Sequence, residues 1–537
     1  MARRRRSLFV LPVIVFACSM VAGFYGPKIE VASAATESED LDTDVRNFSK
    51  VLSLVEANFA DKVSADKTVY KGAIPGMLRT LDPHSNFFDA REYQLMREEQ
   101  KGHYYGVGMS VGPQPNGKTA VKAPFPGSPA YKVGIRPGDI LVSVNDKSTE
   151  GLNTTEIADM LKGPRGTPVK IVISREGSPD LMVFTVIRDE ISRKSVQDAF
   201  WIKPGYAYLK ILSFGETTGR EMEDNLKRLG ESGIRGLVLD LRENPGGLLG
   251  QGVAVADHFL PKNSLIVSHR GRSAPEKAYV AEHGNRGREY PMVVLVNRYS
   301  ASAAEIVAGA LQDHDRALIL GETTFGKGLV QTVYPLSDNT GLALTWAHFY
   351  TPSGRLIQRD YAKKSFYDYY FHRDENARNP VDVKMTEGGR TVYGGGGITP
   401  DEKYEASKLN KFQIEVLRKF GFFNFSAAYF GPRADAHLPK GWEPDENLVN
   451  DFHAYLMKNG FEFTEADFTA NHQWVKEQLK REMYITAFSW EQSVRVNIQQ
   501  DPEVAQAIEA MPKAVTLIET AKKLLVQRIT QQEHLPR

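Results

Sequence analysis

The chain of 537 residues has a single cysteine, Cys18, so it builds neither a disulfide framework nor a thiolate metal cluster. It also lacks a charge excess. Lys and Arg total 67 against 66 Asp and Glu, and a net charge of +1 gives none of the global basic field that nucleic-acid binding exploits. No His-Glu-x-x-His stretch occurs and the 12 histidines are scattered, so metal catalysis finds no support. Nor is the composition that of a polytopic membrane protein, a coiled coil or a disordered chain. It is 42% hydrophobic and 25% charged, with 45 Gly and 28 Pro, which is ordinary usage for several globular domains.

The first 35 residues form an exception to that texture. Arg3 to Arg6 precede Ser7 to Pro27, a stretch of 21 residues without a charge, which is the pattern of an export signal whose positive end stays in the cytoplasm. That length is just enough to cross a bilayer uncut. Ala32-Ser33-Ala34 offers a cleavage site, but it lies beyond Lys28 and Glu30, and Phe16 is bulky for lipid attachment at Cys18. The expectation is a retained membrane anchor over 1–35. The bulk of the chain is then exported, periplasmic or otherwise extracytoplasmic, and tethered to the cytoplasmic membrane.

Beyond the anchor the texture changes three times. Residues 36–100 begin acidic and polar, then carry Val51, Leu52, Leu54, Val55 and Phe59 at helical spacing, with a turn at Leu81-Asp82-Pro83-His84-Ser85. Residues 101–190 consist of short β-branched runs separated by Pro-Gly and Gly-Pro turns, with one helical run from Thr155 to Leu161. In 191–401, strand-like runs (Tyr206 to Leu209, Leu237 to Asp240, Val293 to Val296, Leu318 to Leu320) alternate with helical ones, which predicts α/β layering. Residues 402–537 are helical, hold Trp442, Trp474 and Trp490, and carry packing signals without chemical ones; Pro512 is expected to kink the last helix. Two roles stand for this region, self-association or adaptor binding on one side and a plain packing cap on the other.

Two glycine-rich stretches imitate nucleotide sites and fail. Gly321-Glu-Thr-Thr-Phe-Gly326-Lys327-Gly328 lacks the Ser or Thr that a P-loop places after its lysine, and Leu329 to Tyr334 then alternates like a strand. Gly106-Val107-Gly108-Met-Ser-Val-Gly112 has one residue too many for a dinucleotide fingerprint and leads into β-structure. The informative stretch is Asn297 to Val307, where an apolar strand ends and a helix begins near Ser300. A serine in that first turn sits among unpartnered N–H groups, although Ser300 or Ser302 also suits a simple cap. Asp240 to Gly247 ends a second strand in a double glycine, and Lys327 stands between two glycines near a third. A Ser, a Gly-Gly turn and a Lys at three strand ends are what serine–lysine acyl transfer requires.

From about Val45 to Asp401 the chain resembles the carboxy-terminal-processing, or tail-specific, serine peptidases. The motifs that carry the resemblance are Leu81 to Ser85, Tyr105 to Gly108, Gly127 to Leu141, Asp240 to Gly247, Ser300 to Glu305, Gly326 to Gln331, Tyr350 to Arg355 and Gly395 to Asp401. The resemblance implies an α/β core of the crotonase or Clp-protease kind, an inserted β-rich PDZ domain and helical N- and C-terminal regions, with no cofactor and no metal. It implies Ser302 as nucleophile, Lys327 as general base and Gln331 as the residue that orients the amine. Oxyanion donors would be the N–H of Ala303 and of Gly246 or Gly247, and Gly106, Val107, Gly108 and Met109 would receive the carboxylate of a protein tail. One departure is Ala304, where the family often has a further serine. The expected activity is a serine endopeptidase cleaving near the C-terminus of exported proteins, with protein C-termini as partners and no nucleic acid. A catalytically silent PDZ scaffold fits less well, because it has no use for Ser302, Lys327 and Gln331 together. An acyl-coenzyme A enzyme on the same core leaves the tail-binding module unexplained.

Overall fold

Gly236–Asp240 and Met292–Val296 are buried along their whole length, and such uninterrupted apolar strands belong to a parallel sheet covered on both faces. In the computed structural model, which describes residues 38–362, 364–371, 382–431 and 438–533, they are the centre of a six-stranded sheet. Its order is Val196–Lys203, Tyr206–Ile211, Gly236–Asp240, Met292–Val296, Leu318–Gly321 and Glu402–Lys403. The first pair is antiparallel and the rest are parallel, with Leu239 beside Val294 and Val294 beside Ile319. The expected anchor over 1–35 lies outside the described residues. Among those described, no helix is long and apolar enough to cross a membrane.

Side-chain alternation sorts the sheet into two cores. Leu237, Leu239, Val294, Val296 and Ile319 pack with the helices Thr218–Leu229, Leu249–Asp257 and Ala303–Asp313. Val238, Val293, Leu295, Leu318 and Leu320 point the other way, against Ile498, Val504, Ala507, Met511 and Ala514 of the C-terminal helices. Those helices break as Pro502–Glu509 and Met511–Glu533, so Pro512 stands in the first turn of a new helix, where its missing N–H costs nothing, and the expected kink becomes a helix boundary. A second cluster of C-terminal helices, 411–487, packs around Phe412, Phe422, Phe452 and Leu479.

A second sheet carries Leu329–Pro335 paired to Gly341–Tyr350, which also pairs with Asn86–Phe88 and Leu265–Gly271. The β-rich module has its own five-strand path, Met109–Pro113, Thr119–Pro124, Ile140–Val144, Pro168–Ser174 and Met182–Ile187, and its own core of Val121, Leu141, Ile157, Ile171 and Val186. A two-stranded stem of His103–Gly106 and Asp189–Ser192 leads into and out of it. Among the described residues, 38–77 form a separate unit. There the helix Ser38–Asn58 and the following residue expose Leu41, Val45, Phe48, Val51, Leu54 and Phe59.

Candidate active site

Ser302 is the N-cap of the helix Ala303–Asp313 and has φ 54° and ψ −115°, a conformation that a residue with a side chain adopts only when its surroundings impose it. Those surroundings are tight. Gly246, at φ 95°, lies so close that a Cβ there would come within 2.7 Å of the Ser302 Cβ and 2.9 Å of the Ala303 nitrogen. Ser300, the other serine of the turn, is consumed by structure. Its hydroxyl donates to the Leu241 carbonyl at 2.7 Å and accepts from the Asn297 N–H at 2.9 Å, tying two strand ends together. Ser300 is thus spent on structure, and Ser302 faces a cavity.

That cavity, of about 350 Å³, is lined by Ser302, Lys327, Gln331, Gly246 and Gly247 together with apolar groups that include Phe88, Met96, Leu249, Ile306 and Phe349. The structure thus brings the serine, the lysine, the glutamine and the double glycine to one place. Lys327 Nζ donates to Gln331 Oε1 at 2.8 Å and enters no ion pair among the described residues. Burial pushes the Lys327 ammonium below the ordinary lysine range, against the pull of Asp82 and Glu305. The two glycines are not equivalent. The Gly246 N–H donates to Asn244 Oδ1 at 2.8 Å, whereas among the described residues Gly247 N–H has no acceptor, nor has Ala303 N–H at the start of its helix.

Glu305 organises the two segments, a role that its place in the Ser300 to Glu305 motif does not reveal. Its fully buried carboxylate accepts the Ser302 N–H (2.9 Å), the Lys327 N–H (2.9 Å), the Gly326 N–H (2.7 Å) and the Thr324 hydroxyl (2.5 Å). The stretch that imitates a P-loop therefore does cradle an anion, and the anion is a carboxylate of the protein's own. Burial pushes the Glu305 carboxyl up, while these four donors pull it back.

The turn at 82–85, part of the Leu81 to Ser85 motif but without a role assigned to it, touches the lysine's support. His84 donates through its N–H to Asp82, and its own carbonyl accepts Gln331 Nε2 at 2.8 Å. Burial and the neighbouring Lys327 hold the imidazole down to about 3, so it is neutral at any working pH. Around it stand Phe325, Tyr369 and Tyr370, ring centroids 5.4–6.0 Å away.

In the β-rich module Gly106 closes a stem strand opposite Asp189, Val107 and Gly108 form the loop, and Met109 opens the edge strand Met109–Pro113. Gly108 is at φ 75°, and a Cβ there would lie 2.5 Å from that of Ser128. The carbonyls of Val107 and Gly108 are tied back by Ala130 N–H, Phe125 N–H and the Ser128 hydroxyl. Beside this edge the helix Thr154–Leu161 presents the buried Ile157 and Leu161. Among the described residues no group of His, Cys, Asp and Glu is arranged to hold a metal ion.

Comparison with known proteins matches residues 205–364 to the peptidase family S41 and residues 121–175 to the PDZ domain. The chain is 38% identical over 347 residues to a carboxy-terminal-processing protease of Bartonella bacilliformis, covering 63% of this chain and 79% of that one. It is 31% identical over 381 residues to the carboxy-terminal processing protease CtpA of Bacillus subtilis, covering 68% and 80%. Among solved structures it is similar to a photosystem II D1 C-terminal processing protease, at 29% identity and a TM-score of 0.34 over 66% of this chain and 86% of that one.

Proposed function

Because the chain belongs to the carboxy-terminal-processing proteases of peptidase family S41, which are serine peptidases, we propose that it works through a Ser302–Lys327 dyad on the C-terminal regions of exported proteins. The Ser302 hydroxyl attacks the scissile carbonyl while the neutral Lys327 amine takes its proton. The oxyanion is held by the N–H of Ala303 and of Gly247, the glycine whose donor is unspent. The lysine then returns the proton to the leaving amine, and a water deacylates the serine with the lysine again as base.

The observation that carries this reading is the buried amine facing a neutral acceptor. A carboxylate in place of Gln331 would stabilise the ammonium and disable the base, whereas the amide orients it without adding charge. The PDZ domain serves substrate capture: a protein tail adds a strand along Met109–Pro113, its carboxylate at the Gly106 to Met109 loop. The arginine-led uncharged stretch at 3–27 supports export and tethering.

Digestion of a reporter with an unfolded, apolar C-terminal tail tests the dyad. Wild type is expected to cut it, and Ser302→Ala and Lys327→Arg to be inactive, since a guanidinium does not deprotonate in this range. Substantial cleavage by Lys327→Arg removes the lysine from the mechanism, and equal, absent digestion by wild type and Ser302→Ala across several such tails favours a silent tail-binding scaffold.

A further inference from the structure

His84 takes no part in the chemistry above, yet it stands at the centre of the hydrogen bonds that hold the lysine. Its carbonyl accepts Gln331 Nε2, which leaves Oε1 as the end of that amide facing Lys327 Nζ. The direction of this carbonyl is fixed from several sides. Asp82 Oδ1 accepts the N–H groups of His84 and Ser85, each at 2.7 Å, and Oδ2 accepts the Ser85 hydroxyl at 2.6 Å. Ser85 Oγ accepts the Thr345 N–H at 3.1 Å, fastening the turn to the strand that pairs with Gln331. On the ring, Nε2 lies 2.9 Å from the Tyr369 hydroxyl and Nδ1 3.3 Å from that of Tyr370. Tyr369 also accepts from Gln358 Nε2 at 3.1 Å, and Gln358 Oε1 accepts the Gly328 N–H at 2.8 Å. The bonds close a circuit that begins and ends beside Lys327.

We propose that His84 is a positioning residue for the lysine: held by Asp82, Tyr369 and Tyr370, it dictates which end of the Gln331 amide meets Nζ. The choice matters chemically. A neutral amine has one lone pair, and the serine's proton must go to it. With Oε1 against Nζ the amine donates to glutamine and keeps the lone pair for Ser302. With Nε2 against Nζ, the lone pair would accept from the amide and be lost to the serine. The charged groups facing the amine are Asp82 and Glu305, with the neutral imidazole of His84 beside them and Arg359 stacked on Phe325 and Tyr369.

This inference rests on Lys327 being the base, and its test separates the two. His84→Phe keeps a ring and removes both nitrogens; Tyr369→Phe removes one hydroxyl and leaves the histidine. Both are to be assayed for reporter cleavage and for modification of Ser302 by a fluorophosphonate across pH, which needs no tail docking. Each variant is expected to lower kcat and serine modification by about tenfold or more with KM unchanged. The acid limb of both profiles is expected to move to lower pH, because an amine without the Oε1 acceptor holds its proton less well. Combining Tyr369→Phe with Gln331→Ala is expected to add nothing to Gln331→Ala alone. Rates equal to wild type, a lower rate with a limb that stays or moves up, or full additivity overturns the proposal. A Lys327→Met variant that still cleaves overturns the base assignment itself, whatever His84 does.

Discussion

One oxygen of Glu305, Oε2, accepts the main-chain N–H of Ser302 and that of Lys327, each at 2.9 Å. Ser302 and Lys327, the proposed nucleophile and base, lie 25 residues apart in sequence, on a helix cap and on a loop, and this carboxylate is their shared fastening. It explains how Ser302 is kept at φ 54°: its N–H meets a buried acceptor that three further donors hold in place.

Glu305→Gln tests that fastening with almost no change in volume. The amide turns one acceptor oxygen into a donor facing N–H groups that have no other partner among the described residues. The expected outcome is a loss of about 2–4 kcal/mol of stability, as for buried polar groups left unpaired. Cleavage is expected to fall by roughly 10²-fold, the scale of a displaced catalytic group. A urea midpoint and a kcat/KM on the same preparation check both.

Lys327 gives a pH dependence whose sign is set by its burial. Its pKa is lower in the folded chain than in the unfolded one, where the ordinary value is about 10.4. Between the depressed value and that ordinary value the unfolded chain binds a proton that the folded chain does not. Stability therefore rises with pH through this window and is lowest, as far as this group is concerned, below it. Lys327→Met is expected to abolish cleavage and yet raise stability near neutral pH, by about 1.4 kcal/mol for each unit of depression. Thermal unfolding of the two proteins from pH 6 to pH 10 is expected to show curves that converge at the alkaline end.

The parts of the site that the sequence reveals are those with a local signature. An apolar run broken by a serine turn, a run ending in Gly-Gly and a lysine between glycines each declare a strand end, and parallel pairing of Tyr206–Ile211, Gly236–Asp240, Met292–Val296 and Leu318–Gly321 brings those ends together. Glu305 is one turn into a helix with ordinary spacing, and three of its four donors come from 324–327, a segment that pattern alone does not join to it. His84 is more distant still: 247 residues separate it from Gln331, and nothing local distinguishes its carbonyl. Which glycine is free was equally hidden, since it depends on the Asn244 side chain folding back on Gly246.

The C-terminal helices read as a region with packing signals alone, and their packing partner is the catalytic sheet. A chain ended after Asp401 would bare Val238, Val293, Leu295, Leu318 and Leu320, and would leave Arg242 without Glu503, to which it donates at 2.7 Å. Five such side chains amount to about 10 kcal/mol of lost burial, comparable to the whole stability of a domain. The truncated chain is expected to be insoluble or to lack cooperative unfolding, measured by soluble yield and circular dichroism. A soluble, active product would mean that this face of the sheet is stable without its cover.

The PDZ domain meets the same C-terminal region where Lys122 lies against two rings. Lys122 Nζ is buried and has no hydrogen-bond partner among the described residues; it lies 4.4 Å from the Phe420 centroid and 3.8 Å from that of Phe423, and burial lowers its pKa. Phe420 takes the left-handed conformation at φ 53°, rare for a bulky residue, to present its ring there. Gly138 packs against Ala427 so closely that a Cβ would lie 2.7 Å from that of the alanine. Phe423→Ala removes a cation–π contact of about 1–2 kcal/mol and leaves a cavity. Amide exchange is expected to quicken in both Thr119–Pro124 and Gly421–Phe430, the two surfaces this contact joins. Lys122→Met keeps the stem against the rings and removes a buried charge, so it is expected to leave exchange unchanged or slower. Faster exchange in Lys122→Met would show that the charge itself, and not the apolar stem, holds the two domains together.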